Sequence, residues 1–179
     1  MDPKQQAIRS KQRERQQRGS YFEAEIKRSW PFVENVWHMK LKDGGGNTNA
    51  ADRIVLTNEV NILIEMKRTK GKSFELGFLR QNQIKGLIDF DQVIDRNFGI
   101  VTVSFHNPEI GLDETYAFRL TEALQFMRHH DRLNIKLTEF QSEALPAVKI
   151  PRIDAAKPRY DLKELVRFVT DIYQLQYQN

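Results

Sequence analysis

Asp52, Glu65 and Lys67 are the residues whose types and spacing best suit chemistry. Segments 52–57 and 60–68 are rich in Ile, Val and Leu around a polar break, the pattern of a β-hairpin. If the hairpin turns at Asn58–Glu59, residues whose numbers sum to 117 oppose one another. Asp52 then faces Glu65 with Cβ atoms about 4.5–5.5 Å apart, and Lys67, two residues along the same strand, shares their surface. Asn-Glu is not favoured two-residue turn chemistry, and a slip by one residue would break the convergence. Two carboxylates and an amine gathered in this way suit hydrolysis of a phosphodiester, in which negative charge builds on the phosphoryl and leaving oxygens. Paired carboxylates hold Mg²⁺ at about 2.0–2.1 Å, and the ion acidifies bound water and polarises the phosphate. Mn²⁺ is an expected substitute. Lys67 would position the water or offset transition-state charge, and the Met66 carbonyl offers one more metal ligand. The competing reading is a surface ion pair between Glu65 and Lys67, with Asp52 merely opening the hairpin. Placement favours chemistry, because Glu65 and Lys67 end the most hydrophobic strand in the chain, where charges need partners or a metal.

The elements that must position these residues follow from periodicity. Tyr21, Phe22, Ile26 and Trp30 recur at helical spacing, which predicts a first helix to about Ser29, before Pro31. Phe32–Leu41 reads as a strand, and Asp43–Asn49, with three consecutive glycines, as a flexible loop. Lys70–Ser73 closes the hairpin. A helix over the sheet is expected from Leu76 to about Ile94, although Gly77 and Gly86 weaken it. Phe98–Phe105 and Thr115–Leu120 read as strands, with Asn107–Asp113 between them. Thr121 is expected to cap a helix through about His129, the Pro-containing segment 130–160 to be mostly irregular, and Leu162–Leu175 to close the chain as an amphipathic helix. This order gives an α/β sandwich.

Composition sets the partners. The chain has 179 residues, 40% of them hydrophobic, enough for one domain with a real core. There is no cysteine, so any metal is held by oxygen or imidazole, and the four histidines lack the spacing of a metal pair. Gly71-Lys72-Ser73 fails as a phosphate-binding loop, because Met66 stands where a glycine is required. The net charge is +4, and residues 1–18 carry all of it, with six basic residues against two acidic. A basic flexible arm over 1–18 on a neutral domain over 19–179 suits a polyanion, and a solvated leader would look the same. Arg9, Lys11, Arg13, Arg15 and Arg18 of the arm, with Lys70 and Lys72 beside the active strand, are the expected phosphate contacts. The sequence shows no membrane-spanning or secretory segment, and a cytoplasmic setting, in a bacterium or encoded by a phage, is expected.

Laid end to end, the elements resemble the RecU-type Holliday junction resolvases, of the nuclease superfamily named for its Pro-Asp…Asp/Glu-x-Lys motif, over most of residues 19–176. Asp52, Glu65 and Lys67 match the family's core acids and lysine. Gly19-Ser20-Tyr21-Phe22-Glu23 resembles its first-helix motif, and Asn82-Gln83-Ile84-Lys85 its helix motif. The resemblance implies a restriction-endonuclease-like core, a mixed sheet flanked by helices. It also implies Glu23 as a further acid at the metal site, Gln83 as a helper, and a homodimer that nicks a four-way DNA junction once per subunit. Without the resemblance, Gln83 reads as an exposed helix glutamine. Two departures stand out. Ala51 replaces the motif's proline, and only residues 31–51 are available where the family carries a long stalk. Two rivals stay open: a nuclease of the same fold acting on duplex or flap DNA, and a non-catalytic nucleic-acid-binding protein.

Overall fold

The computed structural model describes residues 3–41 and 49–177. Except for Asn49, the glycine-rich loop expected at 43–49 lies outside them. The helices are α1 (Pro3–Ser29), α2 (Gln81–Asp91), α3 (Leu120–His129), α4 (Leu137–Gln141) and α5 (Lys163–Tyr177). The strands are β1 (Trp37–Lys40), β2 (Arg53–Leu56), β3 (Asn61–Thr69), β4 (Ser73–Glu75), β5 (Asn97–Asn107), β6 (Leu112–Arg119), β7 (Asn134–Lys136), β8 (Ala147–Lys149), β9 (Arg152–Ile153) and β10 (Arg159–Tyr160). Six of them form a mixed sheet in the order β1-β2-β3-β5-β6-β8, in which β3 and β5 are parallel and every other pair is antiparallel. The parallel pair needs a crossover, and α2 supplies it. This is the α/β architecture expected, a central mixed sheet flanked by helices.

The hairpin register is the one read from the sequence: Arg53 pairs with Ile64, Ile54 with Leu63, Val55 with Ile62 and Leu56 with Asn61. The turn at Asn58–Glu59 forms without a left-handed residue, so it is not the mirror-image type common in hairpins. Thr57 closes it. Its hydroxyl accepts from the Glu59 and Val60 N–H groups at 3.2 and 2.9 Å and donates to the Val60 carbonyl at 2.9 Å.

The alternation of β3 divides the protein. Ile62, Ile64 and Met66 face a core with Phe22, Ile26 and Trp30 of α1 and Leu165 and Val169 of α5. Leu63 faces the other core, with Leu87 of α2, Ala123 and Met127 of α3 and Phe140 of α4. Each of the buried Leu, Ile, Val, Phe and Met side chains among them stabilises the fold by about 1.5–3 kcal/mol. Glu65 and Lys67 continue the Leu63 face, and α2 roofs that face.

Three expectations are corrected. The arm over 1–18 is helical from Pro3, and no break marks residue 18. Its Gln, Arg and Lys residues are good helix formers, and neither Pro nor Gly interrupts residues 4–18. Thr121 lies inside α3, whose N-cap is Arg119, and the Thr121 hydroxyl turns to Asp91 at 3.4 Å. Segment 130–160 contains β7, α4, β8, β9 and β10, pieces too short to show a period. Among the described residues no helix is long and apolar enough to cross a membrane.

Close backbone approach fixes the position of α2. A Cβ on Gly86 would lie 2.3 Å from the Cβ of Ala50, and one on Gly99 would lie 2.3 Å from the Leu87 carbonyl oxygen. Glycine at both points lets α2 sit down on the sheet. The Gly86→Ala substitution is expected to destabilise the protein by about 1–3 kcal/mol, because Ala50 meets it with backbone as well as side chain. Urea unfolding measures this, and an unchanged midpoint would show that α2 does not need the contact.

Candidate active site

The hairpin brings Asp52 and Glu65 into one cleft, but not as the directly opposed pair expected, because the paired ladder ends at Arg53–Ile64. The Asp52 N–H donates to the Ile64 carbonyl at 3.0 Å, one residue out of that register, so Asp52 and Arg53 both oppose Ile64 as in a bulge. The Asp52 Oδ2 accepts from the Met66 N–H at 2.8 Å, which turns the carboxylate towards β3. Glu65 is buried, 1% exposed. Its Oε1 accepts from Lys67 Nζ at 2.5 Å and from Gln83 Nε2 at 2.6 Å. Its Oε2 is buried with no hydrogen-bond partner. A buried carboxylate oxygen left unpaired is costly.

Gln83 is buried rather than an exposed helix glutamine. At the third position of α2, its Oε1 accepts from the Arg80 N–H at 2.9 Å and lies 3.5 Å from Lys67 Nζ. An oxygen committed to two donors leaves the amide NH₂ facing Glu65, so the network itself determines which way the amide points. The far end of α2 is fixed too. Buried Asp91 accepts from Arg119 Nε at 2.9 and 3.1 Å and from the Gly99 N–H at 3.0 Å.

Burial and electrostatics act together on the two acids. Burial pushes the Glu65 carboxyl up to about 7, with repulsion from Asp52 adding to it; Lys67 and, more weakly, Arg80 oppose the rise. Burial also raises Asp52, against the lowering effects of the Met66 N–H and Lys67. Burial thus disfavours the charged form of both acids although cations line the same cleft. A divalent cation fits this site, since Oε2 of Glu65 lacks a donor and the Asp52 carboxylate lines the same cleft. Met66 lends only backbone to this face, its side chain being in the opposite core.

These residues line a cleft of about 940 Å³ together with Glu23, Arg15, Arg18, Lys70 and Arg80. Glu23, expected as a third acid, stands on the α1 wall, where its Oε2 is bound by Lys40 Nζ at 2.5 Å. Among the described residues no three His, Cys, Asp or Glu side chains form a metal-holding group, so Glu23 is not joined to the two acids. Of the expected phosphate contacts, Arg15, Arg18 and Lys70 line the cleft, whereas Arg9 and Arg13 are exposed on earlier turns of α1 and Lys72 is exposed on the β3–β4 turn. The Lys11 side chain lies outside the described set. Lys70 Nζ is 2.8 Å from Glu109.

Arg80 was not singled out from the sequence. A cation just before a helix N-terminus opposes the helix dipole, and that misplacement was the available clue. Behind the site, on the α1 face of β3, Arg68 pairs with Glu25 and donates to Tyr160 Oη at 2.8 Å and Ser104 Oγ at 3.1 Å. Glu25 also binds Arg152 at 3.1 Å. This buried network bolts α1 to the active strand.

No protein-family model matches the chain, and no curated protein matches it. Among solved structures, the chain is similar to Hjc, a Holliday junction resolvase from the archaeal hyperthermophile Archaeoglobus fulgidus, with 12% sequence identity, a TM-score of 0.44, and coverage of 79% of this chain and 92% of that one.

The raised Glu65 carboxyl has a consequence for stability. Its value when unfolded is near 4.5 and when folded about 7, so its stabilising contribution is complete below about pH 4.5 and is lost as the pH rises through about 7. In metal-free buffer, Glu65→Gln is therefore expected to raise the thermal midpoint at pH 8 and to change it little at pH 5. A lower midpoint at pH 8 would mean that the bonds from Lys67 and Gln83 outweigh burial and repulsion.

Proposed function

We propose that the protein is a divalent-metal-dependent endonuclease that hydrolyses phosphodiester bonds in branched DNA. The observation that carries this reading is the unpartnered, buried Oε2 of Glu65 in a cleft that Asp52 shares and cations wall. Asp52, Glu65 and the Met66 carbonyl are the groups that would hold Mg²⁺ or Mn²⁺. A cation bound there supplies charge to the phosphoryl oxygens and acidity to water.

The chain's own residues do the rest. Lys67 engages Glu65 and Gln83 with two of its three protons, which leaves one to donate to a phosphate oxygen or to the attacking water. Gln83 holds Glu65 in one orientation through a helix cap that is itself clamped to the sheet. Arg15, Arg18, Lys70 and Arg80 surround the pair and attract the phosphate backbone, a contribution that salt weakens and base sequence does not alter. Glu23, once released from Lys40, would add a third acid at the rim. The four-way junction as substrate, and a homodimer making one incision per subunit, belong to the same proposal; two-fold symmetry in the protein suits near-two-fold symmetry in the junction.

The test is cleavage of labelled four-way junction, flap and linear duplex DNA with Mg²⁺ or Mn²⁺, comparing the wild type with Asp52→Asn and Lys67→Ala. Paired symmetric nicks in the junction are expected, with Lys67→Ala losing at least about 10²-fold in rate and both variants still binding DNA. Cutting of every substrate alike would replace the branched-DNA assignment by a general nuclease. Binding without cutting by the wild type would remove the catalytic reading.

A further inference from the structure

Helix α1 separates two cavities. One face, with Arg15 and Glu23, lines the cleft of the two acids. Another face, with Arg18, Tyr21, Glu25 and Arg28, lines a second cavity of about 420 Å³ against Pro108 and Glu109 of the turn after β5. The spacing of these four, three then four then three residues, places them on one stripe of the helix. Arg18, Arg68 and Lys70 line both cavities, so the two adjoin at these side chains. The path is short: from Glu65 to Lys70 is five residues of extended chain, about 16 Å.

The second cavity has the chemistry of a nucleotide site. Its volume lies within the ~300–1,000 Å³ usual for small-ligand pockets. Tyr21, expected from its spacing to share the helix's apolar face, is 59% exposed and offers a ring at the cavity wall. Ala24 and Pro108 add apolar surface without bulk. Arg18 Nε is buried with no hydrogen-bond partner, at the boundary between this cavity and the catalytic cleft. Arg28 is not available to a ligand in the same way, since Nε and Nη2 both donate to the Pro158 carbonyl, at 3.2 and 2.9 Å. Arg68 is likewise spent on Glu25, Ser104 and Tyr160. The usable set is thus an aromatic face plus the Arg18 guanidinium, whose Nη1 has only a long 3.9 Å approach to Glu14, and the Lys70 ammonium, which would exchange its surface bond to Glu109.

We propose that this cavity receives an unpaired nucleotide of the cleaved strand, a few nucleotides from the scissile phosphate, with its base against Tyr21 and its phosphate on Arg18 and Lys70. A fully paired duplex has no base to place there, so the cavity selects DNA with an unpaired or unstacked strand beside the cut. The inference rests on the nuclease reading for its direction of travel, but not for its test.

The test uses the cleavage-silent Asp52→Asn protein, so that binding is read without cutting. Tyr21→Ala and Tyr21→Phe are added to that background, and affinity for duplexes with single-stranded overhangs and for blunt duplex is measured by fluorescence anisotropy. Stacking on an aromatic side chain is worth about 1–3 kcal/mol per base, so Tyr21→Ala is expected to weaken overhang binding by about fivefold or more, while Tyr21→Phe and blunt duplex stay unchanged. A 2-aminopurine moved along the overhang should change its fluorescence on binding at one position, and Tyr21→Ala should abolish that change. Equal loss on overhang and blunt DNA, or no loss on either, would overturn the proposal; because Tyr21 is exposed, a matching thermal midpoint separates these results from misfolding. If the Tyr21 effect appears but the wild type cuts no substrate, the nucleotide cavity stands and the nuclease reading falls.

Discussion

The burial of Glu65 beside a second acid, Asp52, is the constraint around which the rest is arranged. Two carboxylates are held in one cleft at the end of the hairpin, one of them almost wholly buried and with one oxygen left without a hydrogen-bond partner. Such an arrangement opposes folding unless protons or a cation balance it. Its persistence depends on over-determination elsewhere: β3 is anchored by nine paired positions to β5, and its hydrophobic residues fill both cores. The cost of burying Glu65 is thus offset by apolar packing rather than relieved by local movement.

Helix α2 serves the same end. Its glycine approaches the residue two before Asp52, its third residue reaches Glu65, and its last residue is locked to Arg119 and Gly99. A helix clamped at its start, middle and end cannot slide, so Gln83 keeps one orientation and Glu65 with it. Helix α1 is bolted from behind through Glu25 and Arg68, which sets the cationic wall at a fixed distance from the acids. Binding surface and chemical centre are therefore positioned by the same strand, with Lys67 projecting to one face of the sheet and Arg68 to the other.

Much of this was legible in the residues. Alternation in β2 and β3 carried the register of residues 53–56, even though the dipeptide at the turn argued against it; the Thr57 hydroxyl supplied what Asn58 and Glu59 lack. The offset at Asp52, whose N–H reaches Ile64 instead of continuing the register to Glu65, left no mark in that alternation. Other features depend on neighbours distant in sequence. Gly86 looks like a weakness in a helix until Ala50 is seen beside it. Gln83 reads as an exposed polar residue until its partners, sixteen and eighteen residues away, are in place. Tyr21 fits an apolar helical period with Phe22, yet it projects outward, because Phe22, Ile26 and Trp30 already complete the face that β3 can cover. Of the strands in 130–160, β7 and β8 pair with segments far earlier in the chain, β4 and β6, while β9 and β10 pair with each other, and two or three residues are too few to show a period.

The claim that matters most is that Asp52 and Glu65 form a cation site, and direct binding of Mn²⁺, followed by the loss of its free electron paramagnetic resonance signal, tests it without DNA. The account predicts uptake by the wild type at pH 8 that weakens as the pH falls through about 7, where Glu65 takes up a proton, and that drops at least about tenfold in affinity in Asp52→Asn. Wild-type protein that leaves Mn²⁺ free at pH 8, or binds it equally well after the substitution, would contradict it.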